Sequence, residues 1–216
     1  MESGDSEKLT TEQRILIAAR EEFAQKGFYG AKTISIAQAA GVTHAMLHYY
    51  YRTKQHYYRT KQRLYDRIAE DNLNRMVSVL SMSIMDGKGS IFDTTRSIIE
   101  MQMDFFSKNP QIPKFIINEL SLNTSLINLL TDNAKNKFAT LISLLQKQIT
   151  EGVRQNQCRY VNADTILLDI LSLDITPFIL EPALLTIFIQ EDMTFQEFIA
   201  LRTQENIMTI HCKLKP

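Results

Sequence analysis

The sequence predicts an all-α protein, and three observations lead there. Residue usage favours helix: hydrophobic residues make up 44% of the 216, and only seven Gly and five Pro interrupt them. Apolar positions recur at three- and four-residue spacing along most of the chain, and no stretch alternates with period two. Cap and stop residues stand between the periodic runs, where helices must begin and end.

Taken in order, the first helix starts at a capping box, Thr10 with Gln13, in which each side chain satisfies the other residue's backbone N–H. Ile15, Ala18, Ala19 and Phe23 then fall on one face. Lys26-Gly27 stops that helix, because glycine accepts the left-handed cap conformation. Thr33 is the expected N-cap of a second helix, "ISIAQAA", which ends at Gly41, and Thr43 caps a third, "HAMLHYY". Beyond residue 62 the helices lengthen, with runs expected over 64–85, 92–106, 113–130, 131–154, 164–190 and 194–214. The run 164–190 is apolar nearly all round, which argues burial on more than one side, and Pro177 and Pro182 should kink or break it.

Charge is balanced at zero but unevenly placed. Residues 1–75 hold twelve Lys/Arg against nine Asp/Glu, and the window 44–67 holds six basic residues and one acid, Asp66. A basic patch on a neutral protein suits one polyanion-binding surface, or else a solvated helix face. Cys158 and Cys212 have neither CxxC nor metal-ligand spacing and read as reduced bystanders. The N-terminus "MESGDSEKLTTEQ" has no apolar signal region. The apolar stretch 166–189 carries Asp169, Asp174, Glu181 and two prolines, so it reads as a buried helix and not a membrane span. A cytoplasmic protein is expected.

The stretch 33–50, "TISIAQAAGVTHAMLHYY", is the most informative. Two short helices meet at a tight turn. Ala37 lets them approach closely, Gly41 permits the positive φ of a short turn, Val42 and Leu47 point into the crossing, and Ile34 and Ile36 fill the space beneath. This is a helix-turn-helix pattern, whose second helix enters the DNA major groove.

The run "ILIAAREEFAQKGFYGAKTISIAQAAGVTHAMLHYYYRTK…RLYDRI" resembles the N-terminal domain of the TetR-type (TetR/AcrR) transcriptional regulators. Phe23, Gly27, Phe28, Thr33, Ile36, Ala37, Ala40, Gly41, Val42, Leu47, Tyr49 and Lys54 carry the likeness, over roughly residues 10–70. Tyr50 stands where the family commonly has His, and Tyr51 where it has Phe. The resemblance implies a three-helix DNA-binding domain over 9–70 and a helical effector-binding and dimerisation domain over 71–216. It implies DNA contact from Thr33, Thr43, His44, Ala45, Met46, His48, Tyr49, Tyr50, Arg52 and Lys54. Of these, His44, Met46 and His48 occupy the variable base-reading positions, while Arg52 and Lys54 would meet phosphates. It further implies an apolar effector pocket, with Met101, Phe105, Phe106, Phe115 and Phe178 as candidate walls and Asn118, Glu119 and Asp174 as polar handles.

The phrase "YYRTKQ" occurs twice, seven residues apart, over 50–62. One copy supplies all that the family pattern needs, so the second is surplus. Seven residues are nearly two helical turns and rotate the following face by only about 20°. Two placements follow: the third helix runs on to about Tyr58, or the turn stays at Arg52-Thr53 and the fourth helix gains two turns. The second keeps the helix-turn-helix core undisturbed and is the expected one.

His44 and His48 share a helix face, but no third metal ligand accompanies them, and no nucleophile-base pair or Gly-rich phosphate loop stands out. The sequence therefore predicts a homodimeric regulator without cofactor, metal or catalysis. It would bind a palindromic operator, most simply as a repressor released by a small apolar effector. The competing reading is a helical ligand-binding or interaction protein whose DNA head is disabled by the duplication.

Overall fold

The computed structural model describes residues 9–51, 60–86, 89–122, 132–187 and 193–216. Ten helices run through them, and no strand occurs among the described residues. They form two compact units, Met1–Asp71 and Asn72–Pro216.

The first unit holds α1 (Thr11–Gly30), α2 (Thr33–Ala39), α3 (His44–Tyr51) and the start of α4 (Thr60–Asp86). The capping box at Thr10 and Gln13 forms, with the Thr10 Oγ1 accepting the Gln13 N–H at 3.2 Å and the Gln13 side chain accepting the Thr10 N–H at 2.8 Å. Ile15, Ala18, Ala19 and Phe23 make its buried stripe. Gly27 leaves the helical region with φ +64°, as the stop at Lys26-Gly27 requires, and the last residues of α1 continue beyond this kink. Phe23 and Phe28 then close on Tyr65 of α4, with ring centroids 5.0 and 4.9 Å apart. Arg20 pairs with Asp71 across the same unit.

In the second unit, α5 (Ile91–Lys108), α6 (Gln111–Leu122), α7 (Asp132–Arg154), α8 (Ala163–Ile179) and, after the short α9 (Glu181–Ile187), which buries no residue, α10 (Phe195–Leu214) pack around one core. α5 begins at a capping box of Ser90 with Asp93, and α10 at one of Thr194 with Glu197. α8 lies against α5, α6, α7 and α10, which explains why its sequence is apolar nearly all round.

The expected helix over 164–190 is in fact two. Pro177 is carried inside α8, but the chain leaves the helix at Leu180 and turns by 69° into α9. Pro182 then stands in the first turn of α9, where its missing N–H has no helical partner to lose. No single helix among the described residues is long and apolar enough to cross a membrane, although the bent pair α8 and α9 passes that test by length and composition together.

Candidate nucleic-acid interface and effector cavity

The helix-turn-helix is built around small residues. Ala37 and Ala40 are buried, and Leu47 is 0% exposed between α2 and α3. The turn is closed by backbone bonds: Gly41 N–H donates to the Gln38 carbonyl at 3.1 Å, and Val42 N–H to the Ala37 carbonyl at 3.0 Å. Gly41 has φ +66°, and a Cβ there would meet the Arg14 Nη1 at 3.3 Å. That guanidinium reaches from α1 and donates to the Ala40 carbonyl at 3.1 Å, so α1 anchors the turn. The Thr43 Oγ1 accepts the Met46 N–H at 3.1 Å and caps α3 as its position predicts.

Two details differ from expectation. Ile36 is fully buried, but Ile34 is 53% exposed, because the helical turn from 34 to 36 rotates them onto different faces. Thr33 is the first residue of α2, and Lys32 holds the cap position without a side-chain bond. The Thr33 hydroxyl instead lies 3.0 Å from the His44 Nε2.

That contact begins a chain. The His44 and His48 Nε2 atoms are 3.1 Å apart, and the His48 Nδ1 lies 2.8 Å from the Thr60 Oγ1. Burial first, and the facing His44 second, lower the His48 pKa, since two protonated rings would oppose each other here. Both ring nitrogens of His48 are thus engaged within the protein, while Ala45, Met46, Tyr49 and Tyr50 turn outward. Tyr49 is 78% exposed, unusual for an aromatic ring on a helix that buries its other side. An open hollow of about 430 Å³ runs beside the start of α3, with Lys32, Thr33, Thr60 and Lys61 on its walls. Lys32 and Lys61 were not singled out from the sequence. Lys61 is the second copy's lysine, and only the fold brings it beside Thr33. Arg52 and Lys54, with both expected placements of the repeat, lie outside the described residues. Among those described, no group of three or more His, Cys, Asp or Glu could hold a metal ion.

At the end of α3, Tyr51 is buried, and its hydroxyl has no partner among the described residues. Burial, with the Glu12 charge behind it, pushes its pKa up to about 12. Tyr51→Phe removes an unsatisfied polar atom and should stabilise the protein by about 1 kcal/mol. Urea unfolding measures it, and a loss of stability would show that the hydroxyl has a partner after all.

The second unit holds a cavity of about 390 Å³ among α4, α5, α6, α7 and α8. Met76, Val77 and Leu80 wall it from α4, Phe105 and Phe106 from α5, and Leu167 and Leu171 from α8. Polar side chains on its wall are Ser83, Gln102 and Asp164. Of the eight residues expected at a pocket, the structure brings Phe105 and Phe106 to it. Phe178 stacks edge-on behind Phe106 at 5.8 Å, Phe115 packs against the core, and the Met101 sulfur accepts the Ser83 hydroxyl at 3.3 Å. Asp174 is no polar handle of this cavity: it is fully buried and bonded to Asn206 of α10. The side chains of Asn118 and Glu119 lie outside the described residues. The α4 wall was missed, although Leu73, Met76, Val77 and Leu80 form a stripe at helical spacing.

Residues 15–58 match the family of bacterial regulatory proteins, tetR family. Several solved structures share the architecture. SCO4942 from Streptomyces coelicolor is 18% identical over 96% of this chain and 100% of its own, with a TM-score of 0.69. A TetR-like transcriptional regulator from Rhodococcus sp. RHA1 is 16% identical over 93% and 96%, with a TM-score of 0.60. A TetR/AcrR-family transcriptional regulator from Thermobifida fusca is 16% identical over 91% and 97%, with a TM-score of 0.58. At these identities the likeness is one of fold.

Proposed function

We propose, for a chain that carries the DNA-binding domain of the tetR family and has the fold of TetR-type regulators, that it is a repressor which leaves its operator on binding a small apolar effector. The observation that carries this reading is the outward face of α3. Leu47 and Tyr51 hold the helix down, while Ala45, Met46 and Tyr49 face away from the protein on a helix stiffened by the Thr43 cap and the His44–His48 contact. Such a helix fits the major groove and presents side chains to base edges. His48, with both ring nitrogens engaged, positions His44 and reads no base itself in this scheme.

Dimerisation follows from the same reading. Leu168 on α8 and Leu201 and Met208 on α10 are each more than half exposed, which suits a contact with the same helices of a second copy. Two-fold symmetry then asks for a palindromic site with half-sites set by the duplex repeat. Effector entering the cavity acts by favouring a conformation in which the two α3 helices no longer match that spacing, which requires different affinities for the two conformations. The protein acts in the cytoplasm, as a binding protein and not an enzyme.

Selection of bound duplexes from a random pool tests this directly. Enrichment of one palindrome is expected, and recovery of no preferred sequence would overturn it. On the selected operator, Met46→Ala or Tyr49→Ala should weaken specific binding by about 1–3 kcal/mol and relax preference at one position. Lys32→Ala or Arg52→Ala should weaken all sequences alike and reduce the salt slope by about one. Identical behaviour of the two classes in a salt titration would show that the roles are wrongly assigned.

A further inference from the structure

We propose that the cavity of the second unit takes an apolar ligand carrying no negative charge, with one hydrogen-bonding group seated at Gln102. The inference rests on the effector reading above and adds the chemical class. The described residues lining the cavity include no Lys, Arg or His. A carboxylate or phosphate drawn into this space would lose its water and find no cation, a cost that apolar contact does not offset.

Arg75, Lys147 and Arg154, on helices that wall the cavity, are otherwise engaged or outside it. The Arg75 guanidinium lies 5.2 Å over the Phe105 ring and donates to the Asn109 Oδ1 at 2.8 Å. Lys147 and Arg154 line an adjoining open groove that shares Ile142 and Asp164 with the cavity, and Arg154 pairs there with Glu151 at 3.2 Å. Where groove and cavity meet, the exposed group is Asp164, whose carboxylate accepts the Thr165 N–H at 2.8 Å in the first turn of α8. Its negative charge opposes an anion at the rim.

Inside, the polar capacity is small. The single Ser83 hydroxyl proton is shared between the Val79 carbonyl at 2.8 Å and the Met101 sulfur at 3.3 Å. Gln102 makes no side-chain hydrogen bond to any described residue, so its amide offers both a donor and an acceptor to a ligand. One hydroxyl, carbonyl or amide on the ligand is matched there; among the other described lining residues a second meets only Ser83, already bonded, and Asp164 at the rim.

Three probes with the same ten-carbon chain separate the cases by calorimetry on the full chain at neutral pH: 1-decanol, decanoate and decyltrimethylammonium. Decanol is expected to bind at least tenfold tighter than decanoate. Gln102→Leu should weaken decanol by about 3- to 10-fold and leave decyltrimethylammonium, whose quaternary head has no hydrogen-bonding group, unchanged. The comparison of probes on the unaltered chain stands even if that variant does not fold. Decanoate binding as tightly as decanol would overturn the charge assignment and leave the effector reading intact. No binding by any probe up to its solubility would overturn the effector reading and this inference with it. A folded Gln102→Leu variant with undiminished decanol affinity would overturn the seat at Gln102.

Discussion

Replacing Asp174 by asparagine is expected to stabilise the protein at alkaline pH by a few kcal/mol and to change little below pH 4. Asp174 lies on α8 with 0% exposure. Asn206 of α10 donates to its Oδ1 at 2.8 Å, and Arg202 in turn donates to the Asn206 Oδ1 at 2.8 Å. Its Oδ2 has no partner among the described residues. Burial pushes the carboxyl up to about 8, against the weaker pull of the Asn206 bond and the Arg202 charge. In the unfolded chain the same carboxyl ionises near its ordinary 3.8. Between these values the unfolded state releases a proton that the folded state keeps. The stabilising contribution is therefore complete below about pH 4, falls as pH rises through the window, and is gone above about 8. Asparagine is neutral throughout, so the variant lacks this fall, while other titrating groups such as His211 and Cys158 are common to both chains and cancel. Denaturant unfolding of the two at pH 5, 7 and 9 reads the difference. Parallel curves would mean that Asp174 is not held neutral in the fold.

Phe106→Ala should cost about 3–5 kcal/mol. Phe106 is among the largest fully buried side chains, packed edge-on against Phe178 and forming part of the cavity wall. Truncation removes its transfer free energy, and the void it leaves merges with the existing cavity, so the surroundings have little reason to collapse. At 2–4 °C per kcal/mol for a chain of this length, the melting temperature should drop by about 6–20 °C. A drop of less than 3 °C would place Phe106 against open space and not in the core. Because the ring also walls the cavity, an effector large enough to use the added volume should recover part of the loss through linkage.

The helix-turn-helix was legible because local chemistry decides it. The Thr10–Gln13 box, the Gly27 stop and the Thr43 cap are satisfied by residues within four positions of each other, and the Gly41 turn by bonds spanning three and five. Small residues at Ala37 and Ala40 announce a close crossing before any coordinates are known. Less legible were the faces. Ile34 and Ile36 look equivalent in sequence, yet only Ile36 reaches the core. Thr33 has a good cap composition, but its hydroxyl turns to His44, eleven residues away.

The cavity of the second unit was legible only as a composition. Methionines and phenylalanines over 73–178 promised apolar walls without saying which would line a space and which would fill one. Phe105 and Phe106 line it, whereas Phe178 fills the core behind Phe106.

By itself, then, the sequence determined the helical class, the helix-turn-helix and the likeness of residues 15–58 to the tetR-family domain. Each follows from spacing and capping over a few residues, where the backbone's own hydrogen bonds and the 3.6-residue period leave few alternatives. Only the tertiary structure decided that Asp174 pairs with Asn206 inside the core, that His48 is spent on His44 and Thr60, and that the described residues of the cavity wall include no cation. These depend on which helix faces which across long sequence separations, 32 residues for Asp174 and Asn206. Packing of whole faces selects such partners, and the local pattern of either residue carries no trace of the other.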